Sequence, residues 1–215
     1  MRYPRPSWTR ATAAVLFLIP ALTGNASCQA QEKANVLPQT QAGRQIMLEL
    51  QEFGPVERDR KIRTTNLDFL FHIGRFDSPD FKFYGGLTVS RSRGTITLRT
   101  GSVQAGTRRD ENFDSTATGA GPVLAIRAEL ARSGNLSVSL DGSAGILVYE
   151  RDFPAGASRY EFMFRYGVTF TYRLNDRQNL SVTPGGMHVS NGQGFNPHNP
   201  EYNAFGAGVQ FLGAF

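Results

Sequence analysis

The sequence predicts an all-β chain, an eight-stranded antiparallel up-and-down barrel that crosses a membrane. Three observations predict it. Runs of alternating apolar and polar residues recur from about position 44 to the end. The connectors between them read alternately as short turns and longer polar loops, the layout of a barrel with one tight rim and one looped rim. The 23 Gly, 16 Phe and 7 Tyr stand beside a single Trp and a single Cys. A mean hydropathy of −0.31 argues against a bundle of membrane helices. It suits a barrel in which half of each strand faces water.

Eight strands can be read in order. "RQIMLELQEF" sets Ile46, Leu48 and Leu50 against Glu49 and Gln51, and "TTNLDFLFHIGRF" sets Leu67, Phe69, Phe71 and Ile73 against Asp68 and His72. "FKFYGGLTVSR" carries Phe81, Phe83, Leu87 and Val89; "GPVLAIRAELA" is blurred, with Arg127 and Glu129 sharing a parity. "NLSVSLDGSAGILVY" opposes Leu136, Val138, Leu140, Ala144, Ile146 and Val148 to Ser137, Ser139, Asp141 and Ser143. "RYEFMFRYGVTFTYR" aligns Tyr160, Phe162, Phe164, Tyr166, Val168, Phe170 and Tyr172 against Glu161, Arg165 and Thr169. "QNLSVTPGGMHVS" carries Leu180 and Val182, and the last run aligns Phe205, Ala207, Val209, Phe211, Gly213 and Phe215.

Short turns, "DSPD", "RSGN" and "LNDR", follow strands two, four and six; longer loops are expected after strands one, three, five and seven, the longest at roughly 93–118. A soluble lipocalin-like barrel would also have eight strands. The largely aromatic stripe of strand six and the final alternating strand ending on Phe215, which resembles an outer-membrane assembly signal, favour the membrane form. A closed sheet satisfies every backbone group that lipid cannot.

Residues 1–30 read as a secretory signal peptide. Arg2, Arg5 and Arg10 precede the short apolar run "AAVLFLIPAL", small residues follow, and cleavage falls after Ala26 or Ala30. The run is shorter than the ~20 residues that span a bilayer as a helix. Residues 31–43 form a polar lead, and 44–215 the barrel. Removing three arginines and no acid lowers the formal charge from +5 to +2, so the basic balance does not imply nucleic acid. Cys28 lies in "NASC", which lacks the leucine of a lipoprotein signal. The mature chain is therefore expected to have no disulfide.

Candidate chemistry gathers near the carboxyl end. His188, Ser190 and Asn191 close strand seven, and Glu201 and Asn203 open strand eight, so antiparallel pairing brings them together. Parity places His188 and Ser190 with Leu180 and Val182, and Glu201 and Asn203 with Phe205 and Val209. If that aromatic face meets lipid, the polar cluster points outward too, where it is costly unless used. Gly185, Gly186 and Gly192 would leave a shallow groove for an acyl chain.

"HVSN", a glycine-rich loop, "NPEYN" and a closing strand ending in Phe resemble the lipid A 3-O-deacylase (PagL-type) family. The motif covers about thirty residues, and the barrel and leader extend the likeness as architecture. The resemblance implies an esterase in which Ser190 attacks, His188 is the base, and Asn191 with Gly192 supports the oxyanion. A Glu at the start of the last strand would orient the histidine. That position falls on Asn203, with Glu201 two residues earlier on the same face, and either residue could take the role. An amide there stabilises an imidazolium less well than a carboxylate.

Other candidates are weaker. His72 has inward parity and suits a lumen hydrogen bond, and His198 lies in a solvated loop. Arg58, Arg60, Lys61, Arg63, Arg91, Arg93, Arg99, Arg108 and Arg109 could hold lipopolysaccharide phosphates. Interleaved Glu57, Asp59, Asp110 and Glu111 equally make a solvated mixed-charge surface. No P-loop, dinucleotide fingerprint, zinc spacing or nucleic-acid motif occurs, so no cofactor or metal is expected. The expected partners are lipid A (lipopolysaccharide) and outer-membrane lipid, and a homodimer is left open beside the monomer. The alternative to the esterase is a non-catalytic structural or adhesive barrel.

Overall fold

The computed structural model describes residues 45–75, 81–101, 104–107, 109–192 and 200–214. The leader, the polar lead, "DSPD", Arg108, His198 and Phe215 lie outside them. Among these residues nine strands form: β1 (Gln45–Pro55), β2 (Arg60–Arg75), β3 (Phe81–Thr100), β4 (Arg109–Asp114), β5 (Ala117–Ser133), β6 (Leu136–Tyr149), β7 (Tyr160–Asn175), β8 (Gln178–Ser190) and β9 (Tyr202–Ala214). Eight of them close a barrel. Each barrel strand pairs antiparallel with its neighbour in sequence, and β1 pairs with both β2 and β9. Closure gives each of these eight strands two hydrogen-bonded neighbours, the condition for crossing lipid with strands.

The ninth strand, β4, is a departure from expectation. The long polar loop expected over 93–118 is largely a β-hairpin, in which β3 runs on to Thr100 and β4 returns along it, pairing Thr95 with Asp114 through Thr100 with Arg109. The connector after the first strand is also shorter than expected, only residues 56–59. The cause is visible in "RKIRT", where Ile62 and Thr64 turn inward and Lys61 and Arg63 outward. Alternation continues through the charges, so the strand does too. At the tight rim, β5–β6 and β7–β8 turn in two residues, and Gly134 takes the positive φ of 57° that its turn needs.

The two faces are inverted relative to a soluble protein. Leu50, Leu67, Phe69, Leu124, Phe164, Phe170 and Val209 are exposed on the outside. Glu49, Gln51, Asn66, Asp68, Arg127, Arg165 and Gln210 are buried inside. Two ion pairs hold inward charges: Arg165 lies 2.7 Å from Asp68, and Arg127 grips Asp141 with two nitrogens at 2.8 and 2.6 Å. Glu49 accepts from Gln51 at 2.7 Å and from Gln210 at 2.8 Å. An apolar outer wall around a polar, charge-bearing interior is the arrangement of a transmembrane barrel.

Toward the looped rim the lumen is filled instead by an apolar cluster that includes Phe53, Ile62, Tyr149, Phe153, Met187, Val189 and Tyr202. Phe153, from the β6–β7 loop, stacks on Tyr149 at 4.3 Å and meets Tyr202 edge-on at 5.8 Å. Tyr202 also shares hydrogens with Thr64 and Ser92. This plug supports the first residues of β9 from inside, directly behind the outward-facing Asn203.

Candidate active site

Strands seven and eight of the sequence reading are β8 and β9. Their register puts His188 directly opposite Asn203, with Val189 opposite Tyr202. Val189 and Tyr202 are wholly buried in the plug, which fixes the neighbouring side chains outward by strand alternation. His188 Nδ1 lies 2.9 Å from Asn203 Oδ1, a hydrogen bond. Ser190, two residues on and of the same parity, ends β8 opposite Phe162 of β7. Only 8% of its surface is exposed. Asn191 follows, fully buried, and Gly192 turns the chain with φ of 63°. That left-handed φ suits glycine, and a Cβ would also press on the Phe162 ring at 3.3 Å.

Glu201 stands one residue before β9 and two before Asn203. The residue facing His188 in the ladder is Asn203, and the two open candidates thus differ in position relative to the imidazole.

A third element reaches the site that the sequence reading did not connect with it. Because β1 is the other neighbour of β9, with Pro55 paired to Ala204, the β1–β2 connector runs past the start of β9. Glu57 in that connector accepts from Asn203 twice, from Nδ2 at 2.7 Å and from the backbone N–H at 3.2 Å, both on Oε1. Its other oxygen, Oε2, is held by Arg60 Nη1 at 2.5 Å. Glu57 and Asn203 are 146 residues apart in sequence. In the sequence Glu57 belonged to a mixed-charge run, and only closure of the barrel brings it here.

The groove expected over Gly185 and Gly186 is not open. Gly186 faces outward, but a Cβ there would meet the Tyr166 ring at 2.5 Å, so that ring covers it; Gly185 lies under the backbone oxygen of Tyr166, 2.1 Å from where a Cβ would stand. The outer surface around His188 is therefore an aromatic floor of Phe162, Phe164, Tyr166 and Phe205 rather than a bare glycine trough.

Several of the basic residues are held by ion pairs. Arg60 pairs with Glu57, Arg63 with Glu52 at 2.9 Å, and Arg99 with Asp110 at 3.6 Å, so these have acids of this chain as partners. Yet Arg63 also stands directly across from Arg93, with Arg91 and Lys61 nearby on the same outward face. Like charges facing each other across a ladder repel, which favours an anion between them. His72 turns inward beside Tyr84, with ring centroids 5.7 Å apart. Among the described residues, no group of His, Cys, Asp and Glu could hold a metal ion.

No family model and no curated protein matches the sequence. Solved structures similar to it include the outer membrane enzyme PagL (TM-score 0.47, 11% identity, 77% of this chain and 97% of that one). Neisserial surface protein A is another (TM-score 0.43, 10% identity, 80% and 96%), as is the Yersinia pestis outer membrane protein Ail (TM-score 0.32, 17% identity, 78% and 99%). At these scores the likeness is one of general barrel architecture. The strand pairing itself makes this chain a closed eight-stranded transmembrane β-barrel, similar in form to bacterial outer-membrane proteins.

Proposed function

We propose that this chain is an outer-membrane esterase that removes the 3-O-linked acyl chain of lipid A, working at the lipid-facing rim of β8 and β9. The observation that carries the reading is the outward His188–Asn203 hydrogen bond at 2.9 Å with Ser190 two residues away on the same face. Polar groups aimed at lipid cost free energy, and the substrate they suit is one presented by the membrane itself. The aromatic floor of Phe162, Phe164, Tyr166 and Phe205 gives an acyl chain an apolar bed, and the Arg63–Arg93 face suits a phosphorylated headgroup.

In this reading Ser190 Oγ adds to the ester carbonyl while His188 Nε2 takes the hydroxyl proton. N–H groups of Asn191 and Gly192 receive the charge that develops on the carbonyl oxygen, each donor being worth about 3 kcal/mol in such sites. The imidazolium returns its proton to the sugar 3-oxygen as that bond breaks. Water then repeats the sequence on the acyl-serine and releases the fatty acid, leaving the serine and histidine as they began. No cofactor enters the scheme.

Mass spectrometry of lipid A from cells expressing the wild-type chain or Ser190→Ala tests this directly. Loss of one 3-hydroxyacyl chain in the wild-type sample alone is the expected result. Identical lipid A in both, with each barrel shown to be inserted in the outer membrane, refutes the hydrolase. The second reading, a structural or adhesive barrel, is favoured by one observation: the residue facing His188 is a neutral amide.

A further inference from the structure

We infer that Glu57 is the acid of this site, acting on His188 through Asn203 as a positioning residue; the inference rests on the esterase reading above. Its basis is a chain of three contacts. Arg60 Nη1 holds Glu57 Oε2 at 2.5 Å, Glu57 Oε1 accepts from Asn203 Nδ2 at 2.7 Å, and Asn203 Oδ1 lies 2.9 Å from His188 Nδ1.

The direction of these bonds follows from donor chemistry. An ionised carboxylate only accepts, so the Asn203 amide must turn its NH2 toward Glu57. Its oxygen is then forced toward His188. An amide oxygen only accepts, so Nδ1 of a neutral His188 must carry the proton. Nε2 is left with a lone pair, the form a general base requires. One remote carboxylate thereby fixes the tautomer of the imidazole.

An asparagine alone beside the histidine could not do this. Its amide can present either end, and with NH2 facing the ring the proton would sit on Nε2, which disables the base. The same inversion of tautomer is what an Asp-to-Asn change produces in serine-protease triads. Glu57 removes that ambiguity. It also places a negative charge one amide beyond the imidazolium that forms during proton transfer, and the intervening amide is polarised to relay it. The second bond of Glu57, to the Asn203 backbone N–H at 3.2 Å, and its pairing with Arg60 hold it in one place. Asp59, 3.5 Å from Arg60, is the other acid at this corner, and Glu201 precedes β9.

Glu57 therefore supplies from the β1–β2 connector the carboxylate that is absent at position 203, the residue facing His188. The experiment compares wild type, Glu57→Ala and the double variant Glu57→Ala/Asn203→Asp. Each is purified in detergent with ¹⁵N-labelled histidine, and His188→Gln identifies the signals of His188 among the three histidines. The wild type should show the Nδ1–H tautomer, and Glu57→Ala should shift His188 toward Nε2–H. Its turnover of lipid A should fall by about 100-fold with KM little changed. Asn203→Asp in that background should restore both, because a carboxylate facing Nδ1 needs no backing residue. A wild-type tautomer and turnover in folded Glu57→Ala overturns the inference, as does a wild-type His188 protonated on Nε2. If instead wild type and Ser190→Ala leave lipid A equally untouched, the esterase reading falls and the acid role with it, and the tautomers separately report whether Glu57 orients the amide.

Discussion

Asn203 faces His188 across the β8–β9 ladder with its amide oxygen 2.9 Å from Nδ1, on the side of the barrel that meets lipid. The pair sits on the outer surface of a wall whose inner surface at the same level, Val189 and Tyr202, is packed into an apolar plug. A strand held so firmly from behind presents its outward side chains with little freedom. Rigid placement of this kind is what a reacting pair requires.

His188→Gln should abolish deacylation while leaving the barrel intact. The substitution removes the proposed base and alters an outward side chain that the plug does not use. Loss of a nucleophile's base in serine hydrolases costs several orders of magnitude, so a drop of at least ~1,000-fold is expected. Turnover of purified lipid A, with circular dichroism as the check on strand content, measures it.

Asp68→Ala should destabilise the barrel by about 3–5 kcal/mol, because it strands Arg165 in the lumen without its counter-ion. Both side chains are almost wholly buried and 2.7 Å apart. Replacing the pair together, Asp68→Leu with Arg165→Met, should recover much of that loss. Urea unfolding in lipid vesicles would show it. Equal stability of Asp68→Ala and wild type would mean that the ion pair is hydrated and dispensable.

Gly206→Ala and Gly186→Ala should behave oppositely. A Cβ on Gly206 would stand 1.9 Å from the backbone oxygen of Glu52, on the β1–β9 seam that closes the barrel. Backbone must move there, and folding yield should collapse. At Gly186 the obstacle is the far end of the Tyr166 side chain at 2.5 Å, which can swing away. That variant should fold normally and raise KM for the acylated substrate by disturbing the aromatic floor.

Val209→Arg should cost about 2–4 kcal/mol if this residue lies near the bilayer midplane. Val209 is outward and exposed, between Leu50 of β1 and Val182 of β8. A cost near zero in vesicle unfolding would mean that this face does not contact the hydrocarbon.

The strands and their two faces were legible in the chain because alternation is a local property. Glu49 against Leu50, Asp68 against Phe69 and Arg165 against Phe164 each declare which side meets lipid and which meets the lumen. The outward parity of His188, Ser190 and Asn203 follows from the same rule. Where charges interrupt the apolar signal, as in "RKIRT" and "RDENFD", a strand has the local signature of a loop, since outward arginines at a rim resemble a solvent-exposed turn.

What alternation cannot give is the partner across a closure. The sequence determined the strands, their inner and outer faces, and the meeting of His188 with the opening of the last strand, because each depends on neighbours a few residues apart. Only the tertiary structure decided that Asn203, rather than Glu201, faces the imidazole, since that turns on a ladder register a single residue can shift. Only it brought Glu57 to Asn203, because the first strand becomes the last strand's neighbour when the sheet closes on itself. A contact spanning 146 residues exists through that closure and has no local signature.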